Sequence, residues 1–113
     1  MASIRVKVHL GGVKDWKDFH ALFAKVFGFP GFYGRNMNAW IDCMTDLDAD
    51  SEITSIKVSR GDVLVIELEH MGDLRRRHRD IYDAIIECSA FVNWRRIEQG
   101  DEPILALSFD VGQ

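Results

Sequence analysis

The chain has 113 residues, 47% of them hydrophobic and 28% charged, and a formal net charge of -4. That length suits one domain around a single core, and that mixture argues against disorder. No apolar run approaches the ~18 residues of a membrane span, and the acidic balance argues against a general nucleic-acid binder.

The N-terminal segment alternates. Ile4, Val6, Val8 and Leu10 are apolar, while Ser3, Arg5, Lys7 and His9 are polar. A period of two predicts a strand with one wet face. The same alternation leaves no apolar leader stretch, so a cytoplasmic location is expected. Gly11 and Gly12 end the strand. Asp15 suits an N-cap, Asp18 adds charge to the first turn, and Trp16, Phe19, Leu22, Phe23 and Val26 recur at helical spacing. Gly28 and Pro30 stop this helix at about Phe27. Residues 29–34 form a loop with three aromatics, Phe29, Phe32 and Tyr33.

Asn36 suits the next N-cap. Along the helix that follows, Met37, Trp40, Ile41, Met44 and Leu47 fall on one side, and Asn38, Asp42, Thr45 and Asp46 share the other. Residues 48–60 are polar and read as an insertion or an edge strand. After a turn at Gly61 and Asp62, residues 63–68 form an apolar, β-branched run that predicts a central strand. Residues 74–98 are helical, with Ile81, Ile85, Cys88 and Val92 as an inward stripe and a break near His78 or Asn93. Gly100 stops them, and residues 104–109 predict a last strand, again apolar enough for the interior. Two of the connections are long enough for helical crossovers, which favours parallel pairing. The expected fold class is α/β: a small three-stranded parallel sheet with helices mainly on one face, a single domain over 1–113.

No phosphate-binding glycine loop, His-Glu-x-x-His, Gly-x-Ser-x-Gly or Cys-x-x-Cys occurs. A non-enzyme without cofactor or metal is therefore expected. His9, His20, His70 and His78 are scattered and read as surface or edge residues. Glu67 and Glu69 share one strand face and could pair for acid–base work, but a solvated strand end is the stronger account of them. Cys43 and Cys88 read as reduced thiols, Cys43 at the border of the core. Residues 75–79 sum to +4, but four arginines without interleaved aromatics make no stacking platform for nucleic acid. They are expected on an outer helix face in loose pairs with Asp73, Asp80 or Asp83.

The acidic run stands out more. Residues 36–56 contain no Lys or Arg and sum to -5. Asp42 lies mid-helix and Asp46 and Asp48 toward its C-terminal end, where the helix dipole disfavours carboxylates by up to about 1 kcal/mol. Either the surface tolerates this, or its negative potential meets a positive partner. Carboxylates imitate phosphate oxygens, since both accept bidentate hydrogen bonds from Arg.

Residues 30–45, Pro-Gly-Phe-Tyr-Gly-Arg-Asn-Met-Asn-Ala-Trp-Ile-Asp-Cys-Met-Thr, resemble the barstar family of ribonuclease inhibitors. The family pattern is aromatic-Tyr-Gly-x-Asn-hydrophobic-Asp-Ala-hydrophobic-x-Asp-Cys-hydrophobic-Thr. The resemblance implies a parallel sheet packed by helices. It also implies an immunity protein that plugs the active site of a cognate basic ribonuclease, often a toxin, in a 1:1 complex. On this resemblance Asp42 stands at the carboxylate that enters the phosphate site, and Gly34, Asn36 and Thr45 match further family positions. Phe32 stands where barstar has a tyrosine, Asn38 replaces an aspartate, Ile41 replaces a tryptophan, and Asp46 replaces a glycine. The partner-binding set implied is Phe32, Gly34, Asn36, Asn38, Ile41, Asp42, Thr45 and Asp46, with neither nucleic acid nor membrane as direct partner. A regulatory module of the same fold with a partner other than a ribonuclease is the alternative.

Overall fold

The computed structural model describes residues 2–48 and 54–112. In chain order its elements are β1 (Ser3–His9), α1 (Trp16–Phe27), α2 (Met37–Thr45), β2 (Val63–Glu69), α3 (Met71–Arg77), α4 (Arg79–Glu98) and β3 (Leu105–Ser108). The three strands pair in parallel in the order β1-β2-β3. Val6 is in register with Ile66, and Ile66 with Leu107.

Strand alternation sorts the residues onto two faces. Val8, Leu64, Ile66, Leu68 and Leu105 are buried on one face. The other carries exposed Arg5, Lys7, His9 and Glu69, with Arg5 and Glu67 paired across strands at 3.2 Å. The helices therefore cover one face, and the fold is the expected two-layer α/β arrangement.

β3 differs from the expected interior strand. It sits at an edge, because β2 takes the centre with one parallel neighbour on each side. Its apolar run needs only one covered face: Leu105 is buried, Leu107 half-buried and Phe109 exposed.

α1 forms where its caps specify. The Asp15 carboxylate accepts from the Asp18 amide at 2.8 Å, and the Asp18 carboxylate accepts from the Lys14 amide at 3.1 Å. One orphan donor of the first turn is thereby satisfied, and the return bond ties down the residue just before the cap. Gly28 ends the helix at φ 66°, with its N–H donating to the Ala24 carbonyl. A side chain there would also collide with Ser55, which donates through its amide and hydroxyl to the Phe27 carbonyl. On the buried face of α1, Phe19 meets Phe23 at 4.7 Å with the rings tilted by 38°, and Phe23 stacks on Phe27 at 5.6 Å. Phe23 meets Trp40 of α2 edge-on at 5.8 Å. Each of these side chains is fully buried, worth about 1.5–3 kcal/mol apiece in transfer free energy. This aromatic stack fixes α2 against α1.

The second half departs from expectation in detail. The helical stretch begins at Met71 rather than Leu74 and breaks at His78, where backbone φ is -143° and ψ 75°. The inward stripe of α4 uses Ser89 in place of Cys88, which is half-exposed, and continues to Arg96. Residues 54–60 form no strand. Val58 instead donates to the Leu47 carbonyl at 3.0 Å, tying this segment beside α2. Residues 49–53, the rest of the expected insertion or edge strand, lie outside the described residues. Among the described residues, no helix is long and apolar enough to cross a membrane.

Candidate functional site

The loop before α2 is held from beneath. Tyr33 is buried against Phe29 at 4.7 Å, and its hydroxyl lies 2.5 Å from His20 Nδ1. The expectation that His20 is a surface residue is therefore corrected: it is buried in α1, next to Phe19 and one turn before Phe23. Burial lowers its pKa, and the positive charge of Arg35 lowers it further. Burial likewise raises the pKa of Tyr33. With Tyr33 pulled inward, Phe32 is left 84% exposed.

Asn36 is the N-cap of α2, accepting from the Ala39 amide at 2.8 Å while donating to the Gly34 carbonyl at 3.3 Å. Its side chain is thus engaged in shaping the turn, and Gly34 lies exposed beside it. Outward along α2 run Asn38, Asp42 and Asp46, all exposed and spaced by four residues. Ile41 is half-buried.

Thr45 does not share that wet face. It is buried, its hydroxyl donating to the Ile41 carbonyl at 2.6 Å, because α4 crosses here and Arg96 Nη1 donates to the Thr45 carbonyl at 2.7 Å. Arg96 is itself buried. Its fork grips both oxygens of Asp48 at 2.9 and 2.7 Å, and its Nε donates to the Glu102 carbonyl at 2.7 Å. These bonds hold the Asp48 carboxyl below its usual pKa range.

The preceding arginine acts on the surface. Arg95 Nη1 donates to Asp42 Oδ1 at 2.8 Å, with the two side chains 37% and 67% accessible. Asp42 therefore presents one engaged oxygen rather than a bare carboxylate. Between the loop and α2 lies a groove of about 220 Å³ whose walls include Pro30, Phe32, Tyr33 and Ala39, with Asp42 and Asp46 at its edge. Cys43 also borders it. Burial, then the negative charges of Asp42 and Asp46, push its thiol up to about 11, which makes it a poor nucleophile.

Of the residues expected from the sequence, the structure gathers Phe32, Gly34, Asp42 and Asp46 around this groove. Asn38 lies one turn before Asp42, Asn36 supports the turn, and Thr45 is covered. Sequence reading missed Arg95 and Arg96. Arg96 had a signal: it continues the 4-3-4 spacing of Ile85, Ser89 and Val92. Arg95 had none, since its partner lies 53 residues away.

The other candidates resolve separately. Arg77 pairs with Asp73 and donates to the Val13 carbonyl at 2.7 Å; Arg79 pairs with Asp83 at 3.0 Å. Arg75 and Arg79 both lie over the Tyr82 ring. Asp80 is engaged differently from expectation, accepting from Trp16 Nε1 at 3.0 Å. Glu67 is paired with Arg5, while Glu69 is exposed. Among the described residues, no group of His, Cys, Asp or Glu is arranged to hold a metal ion.

The match to known families spans this whole arrangement. A family model described as Barstar (barnase inhibitor) fits residues 4–107, from β1 through β3. The chain belongs to the Barstar family. Its fold is that of this ribonuclease-inhibitor family, and the loop, α2 and the α4 arginines all fall inside the matched range. No curated protein matches the chain.

Proposed function

We propose that this Barstar-family chain is an immunity protein that occludes the active site of a cognate basic ribonuclease in a 1:1 complex, using α2 and the aromatic loop before it. It performs no catalysis and needs no cofactor. The observation that carries this reading is the position of Asp42: an exposed carboxylate beside an aromatic groove, on a helix whose acidic character works against its own stability. A carboxylate there can occupy a site built for phosphate, where the Arg, Lys or His⁺ groups of the enzyme would bind RNA. Asn38, Asp46 and Phe32 surround it and complete the contact; Thr45 contributes by holding the end of α2.

The test starts with capture of proteins from the source cell on the immobilised chain and their identification by mass spectrometry. Each retained protein is then assayed for RNA cleavage. The reading requires a retained protein that cleaves RNA and is silenced at one equivalent of this chain. Retained proteins without nuclease activity, or a nuclease still active when saturated, would overturn it. The Asp42–Arg95 pair favours a second reading, a regulatory module with a partner other than a ribonuclease, because it partly neutralises the carboxylate that a purely cationic cleft would seek. The first of those two results would support that module.

A further inference from the structure

The two carboxylates at the groove are not equivalent. Asp42 is engaged by Arg95 at 2.8 Å. Asp46 is exposed and makes no ion pair among the described residues. It occupies the C-cap of α2, and the last turn of that helix contains no basic residue. The negative end of the helix dipole therefore adds to the Asp46 charge instead of being offset. Both carboxylates are felt in the groove, where they raise the Cys43 thiol. Besides the two carboxylates, the lining includes Pro30, Phe32, Tyr33 and Ala39, which suit an apolar stem or a flat cation better than a hydrated ion.

We infer that this groove is a socket for one arginine side chain of a basic protein partner, with Asp46 as the residue that sets the preference for arginine. Residues four apart on a helix stand about 5–6 Å apart at Cβ, so the five donors of one guanidinium span the Asp46 carboxylate and the second oxygen of Asp42. The planar cation packs on the exposed Phe32 ring, which an ammonium would do with a larger hydration cost. About 220 Å³ is room for one such side chain and not for a folded element. Charge complementarity selects the occupant: the face offers two carboxylates, a helix C-terminus and an aromatic ring, with Arg95 engaging only Oδ1 of Asp42.

This inference rests on the proposed binding face but not on the partner being a nuclease, and its test needs no partner. Arginine amide is titrated into the ¹⁵N-labelled chain, with citrulline amide as the neutral isostere and lysine amide as the compact cation. Saturable shifts are expected at the amides of Gly34, Ala39, Cys43 and Asp46, several-fold tighter for arginine than for lysine and absent for citrulline. Asp46→Asn should weaken the arginine response at least fivefold, and Phe32→Ala should erase the preference over lysine. Shifts shared by citrulline, no saturable response, or an Asp46→Asn chain that binds unchanged would each overturn the assignment. A ribonuclease silenced by a chain that ignores arginine amide would sink this inference alone. An arginine socket on a chain that silences no nuclease would sink only the ribonuclease reading.

Discussion

Asp42 carries two relationships that one substitution separates. Inside the molecule it holds a half-exposed pair with Arg95, of a type that contributes about 0–1 kcal/mol. Against a closed cationic site it would be desolvated, and truncation would strand the partner's cations at a cost of about 2–5 kcal/mol. Asp42→Ala is therefore expected to lower the melting temperature by only a few degrees while raising the dissociation constant of the complex by at least thirtyfold. Calorimetry on the free chain and on the complex reads both quantities, and an unchanged dissociation constant would remove Asp42 from the interface. His20 gives a second test at this scale. Its folded pKa lies below the ordinary 6.5, with burial as the main cause and Arg35 next. The unfolded chain thus takes up the proton first. The stability linked to neutral His20 is complete above about pH 6.5 and is lost progressively as the pH falls below it. Melting temperatures followed from pH 8 to pH 5 should fall in that window. His20→Gln, which can still accept from the Tyr33 hydroxyl but does not titrate, should flatten the slope.

At the scale of elements, Arg96 joins three segments through polar bonds: the end of α2, the approach to β3, and α4 itself. Removing it leaves the Asp48 charge and two carbonyls without their donors. Arg96→Ala should cost about 3–5 kcal/mol, the range for breaking one side of a buried pair, and lower the melting temperature by more than about 10 °C. A double substitution to Met at 96 and Leu at 48 should recover part of that loss, whereas simple additivity would show that the pair is not coupled. Asp48 also sets an acid limit. Its lowered pKa contributes stability that is present above about pH 4 and is lost as the pH falls through its folded value. These contacts mark where the sequence stopped being legible. Alternation, caps and helical spacing located β1, α1, α2 and β2, because each is written in neighbouring residues, whereas the helix break was narrowed only to His78 or Asn93 and the structure places it at His78. The edge position of β3, the burial of Thr45 and the anchoring of His20 by Tyr33 depend on what crosses over them, and local periodicity carries no record of that. The exposed face of α2 with Asn38, Asp42 and Asp46 was legible from helical spacing. Its modification by Arg95 was not, because that contact joins residues 53 positions apart.

Across the whole molecule, charge is separated. Asp42, Asp46 and Asp48 cluster on and after α2, while the arginines at 75, 76, 77 and 79 lie at the junction of α3 and α4. Those arginines are largely committed to Asp73, Asp83, Tyr82 and a backbone carbonyl. Replacing all four by glutamine should therefore leave partner inhibition within a few-fold, and a collapse of inhibition in a folded variant would relocate the binding face. The acidic end should instead govern encounter. Its field reaches a basic partner over roughly a Debye length, ~8 Å at physiological salt. The folded arrangement also ranks the contributors. Asp48 is neutralised by Arg96, and Asp42 in part by Arg95, which leaves Asp46 as the least compensated of the three. Steering acts on the association rate and is weakened by salt, whereas short-range contacts act mainly on dissociation. The association rate should accordingly fall several-fold between low and high salt with the dissociation rate changing much less. Asp46→Asn should flatten that salt dependence more than Asp48→Asn, although both remove the same formal charge. Stopped-flow association with the captured partner reads the slopes directly. Equal slopes for the two variants would mean that Arg96 does not screen Asp48 from an approaching protein, and a flat slope for the unaltered chain would mean that the acidic face plays no part in encounter.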